Sequence, residues 1–317
     1  MKRLSAEERV MYYFIVNPNS RSSMGQKIWQ QTEVVLKERN IEYQVFFTHY
    51  QHHATKIARE LTQDLQEHTI VVLGGDGTVN EVVNGITDFS KVTLGYIPSG
   101  SGNDFARGMG LAKDPAIGLE SILNPSQIRS MDVGILKYGP NSRKRCFAIS
   151  AGLGFDAAIC HQAMVSKVKI FLNKIKLGKL TYTLIALHRL ILDQPVPMTI
   201  TIDGSDTQHF DKVYFTAVMN NLYEGGGFKF CPAADSGDGI LDAIVVEGLK
   251  KRQILFWLVL AFSGKHTRSK GVHIFRGKQI AIDSAKALPV HTDGEPVFLQ
   301  HHMEASPSDR QLRVIVK

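Results

Sequence analysis

The chain has 317 residues, with 37 Lys and Arg against 30 Asp and Glu, and three cysteines. That length suits about two domains with real cores. The basic balance suits an anionic partner such as nucleotide, nucleic acid or a lipid surface, without choosing among them. Cys146, Cys160 and Cys231 are odd in number and widely spaced, which argues against a disulfide framework or zinc pairing and for inert thiols in a reducing cytoplasm. The charged start predicts no signal peptide, and the longest apolar run, 254–262, falls far below the roughly 20 residues that span a bilayer.

In chain order, residues 12–16 read as a strand, 27–38 as a helix, 43–47 as a strand and 54–65 as a helix. The β-branched run Ile70-Val71-Val72 suits a buried parallel strand, and Val79, Val82, Val83 and Ile86 recur at the spacing of one helical face. Residues 92–97 read as a further strand. This alternation predicts an α/β fold, a parallel Rossmann-like sheet whose ligands bind beyond the carboxyl ends of its strands. Four polar turns fall at such ends: Asn17-Pro18-Asn19-Ser20, Thr48, Gly74-Gly75-Asp76-Gly77-Thr78, and Ser99 to Phe105.

Beyond about residue 128 the pattern becomes strands of alternating character, at 143–151, 198–203, 212–220, 240–246 and 279–283, as in an antiparallel β-sandwich. Helical insertions are expected around 167–192 and 250–262. The expected division is a nucleotide-binding domain over 1–128 and a sandwich domain over 129–304. A closing strand in 312–316 can return to the first domain, which 305–317 would then complete.

The turn after Leu73 carries the sharpest chemical signal. Gly74, Gly75 and Gly77 can take angles closed to other residues, so that amides of the turn and helix start point at an anion. Asp76 repels an anion and makes sense beside a metal ion that bridges phosphate oxygens. As a bare motif it reads equally as a strand-to-helix turn with Asp76 as a cap. Gly100-Ser101-Gly102-Asn103-Asp104 offers a hydroxyl and a carboxylate beside flexible glycines, or simply a cap for the helix starting at Phe105. Asp293-Gly294-Glu295 reads as a hairpin turn, or with Glu295 as a general base. Asp235, Asp238 and Asp242 surround Gly237 and Gly239 in a polar turn that could hold a hard cation but fits no calcium-loop spacing. Residues 167–192 and 250–262 mix Lys and Arg with apolar side chains, suiting either a solvated cationic face or an anionic membrane surface.

Taken together, Gly74-Gly75-Asp76-Gly77-Thr78, Gly100-Ser101-Gly102-Asn103-Asp104-Phe105 and Asp293-Gly294-Glu295 resemble the diacylglycerol kinase catalytic family of lipid kinases. The resemblance covers essentially the whole chain. It implies an ATP- and Mg²⁺-dependent kinase acting on a lipid hydroxyl at the cytosolic membrane surface, with no nucleic-acid partner. By position, Asn17, Pro18, Asn19, Ser20, Arg21, Thr48, Gly74, Gly75, Asp76, Gly77, Thr78, Val79, Asn80 and Ser101 would bind ATP. Glu295 would be the base, while Asp76 and Asp104 would organise magnesium and the reacting groups. Asp238, with the carbonyls of Asp235 and Ile240, matches a structural magnesium site. Arg21 stands where the family usually has glycine, and Ser101 replaces a more usual threonine. An NAD kinase shares Gly-Gly-Asp-Gly-Thr, and a non-catalytic nucleotide or lipid sensor would keep the same fold. Exposed edges of the antiparallel domain leave room for a homodimer.

Overall fold

The structure, a computed structural model, describes residues 10–165, 185 and 188–317. The basic segment expected as a helical insertion at 167–192 lies almost wholly outside the described residues, apart from 185 and 188–192. Two compact units form: Met1–Met131 with Arg310–Lys317, and Asp132–Asp309.

The first unit is built on a six-stranded sheet. Its strands are β1 (Tyr12–Val16), β2 (Tyr43–Phe47), β3 (His68–Gly74), β4 (Val92–Pro98), β5 (Ile128–Met131) and, from far downstream, β15 (Leu312–Ile315). Their order is β2-β1-β3-β4-β15-β5. Every pairing is parallel except β15 with β5. Ile70, Val71, Val72 and Leu73 are fully buried, as a central strand covered on both faces requires. The helices are α1 (Ser20–Glu38), α2 (His53–Thr62), α3 (Asp76–Val83), α4 (Asp104–Met109) and α5 (Pro115–Leu123). α1 buries Ile28, Trp29 and Leu36, and Trp29 meets Phe14 of β1 at 5.3 Å between ring centroids.

α1 starts seven residues earlier than its periodicity predicts, across a kink. Arg21, Ser22 and Ser23 have φ of 44°, 56° and 69°, left-handed angles that cost a side-chain-bearing residue about 1–2 kcal/mol each. The apolar pattern begins only after the kink and so gives no hint of it.

The second unit holds a nine-stranded antiparallel sheet: β6 (Gly134–Tyr138), β7 (Arg143–Phe147), β8 (Ser150–Gly154), β9 (Val196–Ile202), β10 (Asp206–Met219), β11 (Leu241–Glu247), β12 (Val272–Gly277), β13 (Ile280–Thr292) and β14 (Glu295–Pro307). The long strands β10 and β13 each pair with β9 along one half and with β8 along the other. Irregular register between Phe210 and Val213 and between Asp283 and Val290 lets them change partners, as bulges do. Met198, Ile200, Ile282, Val290 and Met303 belong to one buried cluster of this unit. Phe215, Phe230 and Trp257 belong to another, to which the helix α7 (Lys251–Ala261) contributes Ile254, Trp257 and Ala261.

The single strand expected over 143–151 is two strands separated by a turn at Ala148 and Ile149. Neither glycine nor proline marks the break. The Asp293 carboxylate makes it, accepting the amides of Ala148, Ile149 and Ser150 at 2.8, 2.8 and 2.9 Å. After β8 comes a helix absent from the expected elements, α6 (Phe155–Val165).

Candidate functional site

In the first unit the turns that follow β1, β3 and β4 are tied to one another. Asn17 Nδ2 donates to Thr78 Oγ1 at 3.2 Å, and the hydroxyls of Ser20 and Ser99 lie 2.6 Å apart. Thr48, after β2, is held through its amide to the Val16 carbonyl at 2.9 Å. Because these strands are parallel and in register, all four turns leave the sheet at one end. A cavity of about 250 Å³ opens there, lined by Asn17, Asn19, Thr48, His49, Tyr50, Gln51, Thr78 and Glu81.

Asp76 is the knot of this arrangement. Its Oδ2 accepts the Asp104 amide at 3.1 Å and its Oδ1 the Phe105 amide at 3.2 Å. It therefore caps α4, so the capping role that the motif allowed is real, but for the helix of the other glycine loop rather than its own. A carboxylate is the donor type that a hard cation such as magnesium takes, so the chemistry of Asp76 is compatible with such an ion. Asp104 is buried and ion-paired with Arg107. Tyr96 donates to the Gly74 carbonyl at 3.1 Å; burial first, then the charges of Asp76 and Asp104, hold its phenol well above the ordinary range.

The glycines serve by their size rather than by unusual angles. Gly75 sits at φ −104°, and Gly74 and Gly77 are not among the residues with positive φ. A Cβ on Gly100 would lie 2.8 Å from the Gly75 Cα, so the two loops meet backbone to backbone. Left-handed angles fall instead on Arg21, His52 and Asn103, all in or beside these loops, where stored strain is common.

Val79 and Asn80 point inward, each 1% exposed, and the Val79 amide is already donated to the Gly75 carbonyl at 3.2 Å, so both support the turn from behind. Ser101 is exposed. Sequence reasoning missed His49, Tyr50, Gln51 and Glu81. The Glu81 carboxylate accepts the amides of His52 and Ala54 at 2.9 and 3.1 Å, holding the start of α2 against α3; no motif marks it.

In the second unit Glu295 opens β14, opposite Thr292. Asp293 and Gly294 have φ of 50° and 83°, the two positive angles of a tight type I′ hairpin. The hairpin reading of this segment is therefore correct, and it presents Glu295 at a rigid strand end. Behind the turn lies a cluster that sequence reasoning did not find. His291, fully buried, places Nε2 2.8 Å from Asp156 and 3.2 Å from Glu224. A Cβ on Gly152 would fall 1.9 Å from Asp156 Oδ2, so only glycine fits there.

Among the described residues this is the one grouping of three or more His, Cys, Asp or Glu with ligand atoms within 4.8 Å of one another. Its hydrogen bonds oppose a metal. The Gly294 amide lies 3.0 Å from His291 Nδ1, and Nε2, facing the carboxylates, carries a proton in both the neutral and the charged ring, where a metal would need a lone pair.

Asp235, Asp238 and Ile240 lie in the turn before β11. Asp238 is ion-paired with Arg276 at 2.5 Å and accepts the Ile240 amide at 3.2 Å. Arg276 also reaches Asp242 at 3.2 Å. A guanidinium of the same unit thus already supplies positive charge where a structural cation was expected. Among the described residues the three cysteines form no disulfide; Cys231 is buried, while Cys146 and Cys160 are half-buried. Burial chiefly pushes the Cys146 thiol up to about 11, which keeps it unreactive.

The family described as "Diacylglycerol kinase catalytic domain" matches residues 11–136, and "YegS C-terminal NAD kinase beta sandwich-like domain" matches residues 150–315. A Bacillus subtilis protein named "Putative lipid kinase YtlR" is 32% identical over 95% of this chain and 99% of its own. The "Diacylglycerol kinase" of the same organism is 25% identical over 89% of this chain and 88% of its own. A solved diacylglycerol kinase structure from Bacillus anthracis shares the fold, with a TM-score of 0.69 and 20% identity over 98% of this chain and 97% of that one. An NAD kinase from Archaeoglobus fulgidus is a more distant fold neighbour, with a TM-score of 0.52 and 11% identity over 96% of this chain and 93% of that one. From the paired domain matches and the near full-length relative, the chain belongs to the diacylglycerol kinase catalytic family and is a lipid kinase.

Proposed function

We propose that the chain transfers the γ-phosphoryl group of ATP to the hydroxyl of a lipid such as diacylglycerol, with Mg²⁺, at the cytosolic membrane surface. The observation that carries this reading is the knot at Asp76, where one carboxylate fixes both glycine loops beside a polar cavity in the first unit.

Phosphoryl transfer needs positioning, charge neutralisation and a base. The main chain of Gly75 to Gly77 and the loop of Asn17 to Arg21 position the phosphates, with the hydroxyls of Thr78 and Ser101 as donors and with Gly74, Val79 and Asn80 supporting the turn. Thr48 and its neighbours in the cavity wall receive the rest of the nucleotide. Asp76 would hold a magnesium ion, which would supply charge neutralisation to the phosphate oxygens, and Asp104, already ion-paired with Arg107, would orient the reacting groups. Glu295 accepts the proton as the acceptor oxygen forms its bond to phosphorus and the bond to the ADP oxygen breaks. The turn of Asp235, Asp238 and Ile240 is the weaker magnesium position, because a cation there must compete with Arg276.

The test is incubation of the purified chain with labelled ATP, Mg²⁺ and diacylglycerol in detergent micelles. Labelled phospholipid is expected, and Glu295→Gln should lower its formation by about 10²-fold or more. Full activity in Glu295→Gln would refute the base. Phosphorylation of NAD, with every lipid alcohol left untouched, would refute the acceptor class.

A further inference from the structure

We propose that the outer face of α7 docks the protein onto an anionic lipid bilayer, with the helix lying in the plane of the headgroups. The proposal rests on the lipid-acceptor reading above and names the surface by which the enzyme reaches such a substrate.

α7 is anchored on one side by Ile254, Trp257 and Ala261, at most 3% exposed. A surface helix ordinarily turns polar residues outward. Here Leu255, Phe256 and Val259 are 42, 66 and 67% exposed, at the same three-to-four-residue spacing as the anchors, and Phe262, 53% exposed and packed on Phe228 at 4.1 Å between ring centroids, follows just past the helix end. Isolated exposed apolar residues need no explanation, but three on one helix face do. Lys251 Nζ donates to the Ile191 carbonyl at 2.6 Å, bringing Ile191 and Leu192, 70 and 56% exposed, to the end of the same helix.

Charge selects the occupant. Residues 248–270 carry six Lys and Arg and no Asp or Glu. Arg252, Lys265, Arg268 and Lys270 are exposed, and among the described residues none of them is ion-paired. A second copy of this chain packed face to face through α7 would bring like charges together, since Arg252 lies three and four residues before Leu255 and Phe256 on the same helix face. An anionic bilayer instead offers headgroups to the cations and acyl chains to Phe256 and Val259, which is how in-plane amphipathic helices bind. The basic residues at 167–179 lie outside the described residues and are not needed for this conclusion.

The test is co-sedimentation of the full chain with phosphatidylcholine vesicles, and with vesicles in which phosphatidylglycerol replaces part of the phosphatidylcholine. Binding should favour the anionic vesicles and weaken with salt. Phe256→Asp combined with Val259→Asp should reduce binding at least about tenfold, given the gain per buried methylene. Arg252→Gln and Lys265→Gln should each reduce binding to anionic vesicles about fivefold and leave the neutral ones unaffected. All four positions are exposed, so circular dichroism and melting should match the parent.

Equal binding of the parent to both vesicle types would overturn the proposal, as would undiminished binding by the double variant. Light scattering that finds a dimer in the parent and a monomer in the double variant would assign the face to self-association instead. Phosphorylation of micellar lipid separates this from the function. Activity in micelles with vesicle binding indifferent to α7 sinks the docking face alone. Vesicle binding through α7 without phosphorylation of any lipid sinks the function alone.

Discussion

The Gly294 amide donates to His291 Nδ1 at 3.0 Å, so the residue before Glu295 leans on an imidazole buried between two carboxylates. Burial pulls the His291 pKa down, but the charge and hydrogen bond of Asp156, then Glu224 and Asp293, override it and push it to about 9. The two observations oppose each other, since charging the ring places a proton on Nδ1 and deprives the Gly294 amide of its acceptor. The adjacent carboxylates decide the direction, because such charges act strongly at short range away from water.

Stability should therefore depend on pH in a defined window. A histidine whose pKa is raised on folding binds more protons folded than unfolded, so its contribution is complete below about 6.5 and lost as pH rises through about 9. The loss is on the order of 3 kcal/mol at most. Urea unfolding across this range should show falling stability in the parent and a flatter profile in His291→Gln. A parent profile as flat as the variant's would disprove the coupling.

Asp76→Asn should cut activity by at least about 10²-fold and also reduce stability by about 1–3 kcal/mol. An amide side chain offers one acceptor oxygen where the carboxylate serves the amides of both Asp104 and Phe105. Denaturant melts and kcat together check this; lost activity at unchanged stability would mean that α4 does not depend on the cap.

Gly100→Ala places a methyl group 2.8 Å from the Gly75 Cα, against backbone that has no rotamer to yield. A cost of about 1–3 kcal/mol is expected, together with weaker ATP binding by calorimetry. Unaltered affinity would show that the loops can separate freely.

Arg21→Gly should be tolerated or stabilising, by about 1 kcal/mol, because φ 44° is open to glycine and strained for arginine. A melting temperature below the parent's would mean that the guanidinium makes contacts that outweigh this strain. A weaker affinity for ATP, at unchanged stability, would assign those contacts to phosphate.

The parallel sheet was readable because its signals are local. Ile70 to Leu73 are apolar on both faces, and the period then changes to that of a helix from Val79 onward. The antiparallel unit was readable in kind but less so in detail. The break between β7 and β8 is made by Asp293, well over a hundred residues away, and the local sequence carries no trace of it. The phosphate-loop candidates stood out through glycine and asparagine at strand ends. Asp156, Glu224 and His291 did not, since nothing but the folded sheet relates positions so far apart. His49 to Gln51 and Glu81 were missed for a similar reason: each looks like ordinary surface until the loop after β2 and the helix α3 place it at the cavity rim.

β15 lies between β4 and β5 in the first unit's sheet, although nearly two hundred residues separate it from β5. During synthesis, β1 to β4 leave the ribosome long before residues 312–315 exist. Until then β4 has an unpaired edge, the kind of exposed ladder that invites wrong partners. The nascent chain must shield that edge throughout translation of the second unit, so ribosomal pausing within that stretch would lengthen the interval of aggregation risk.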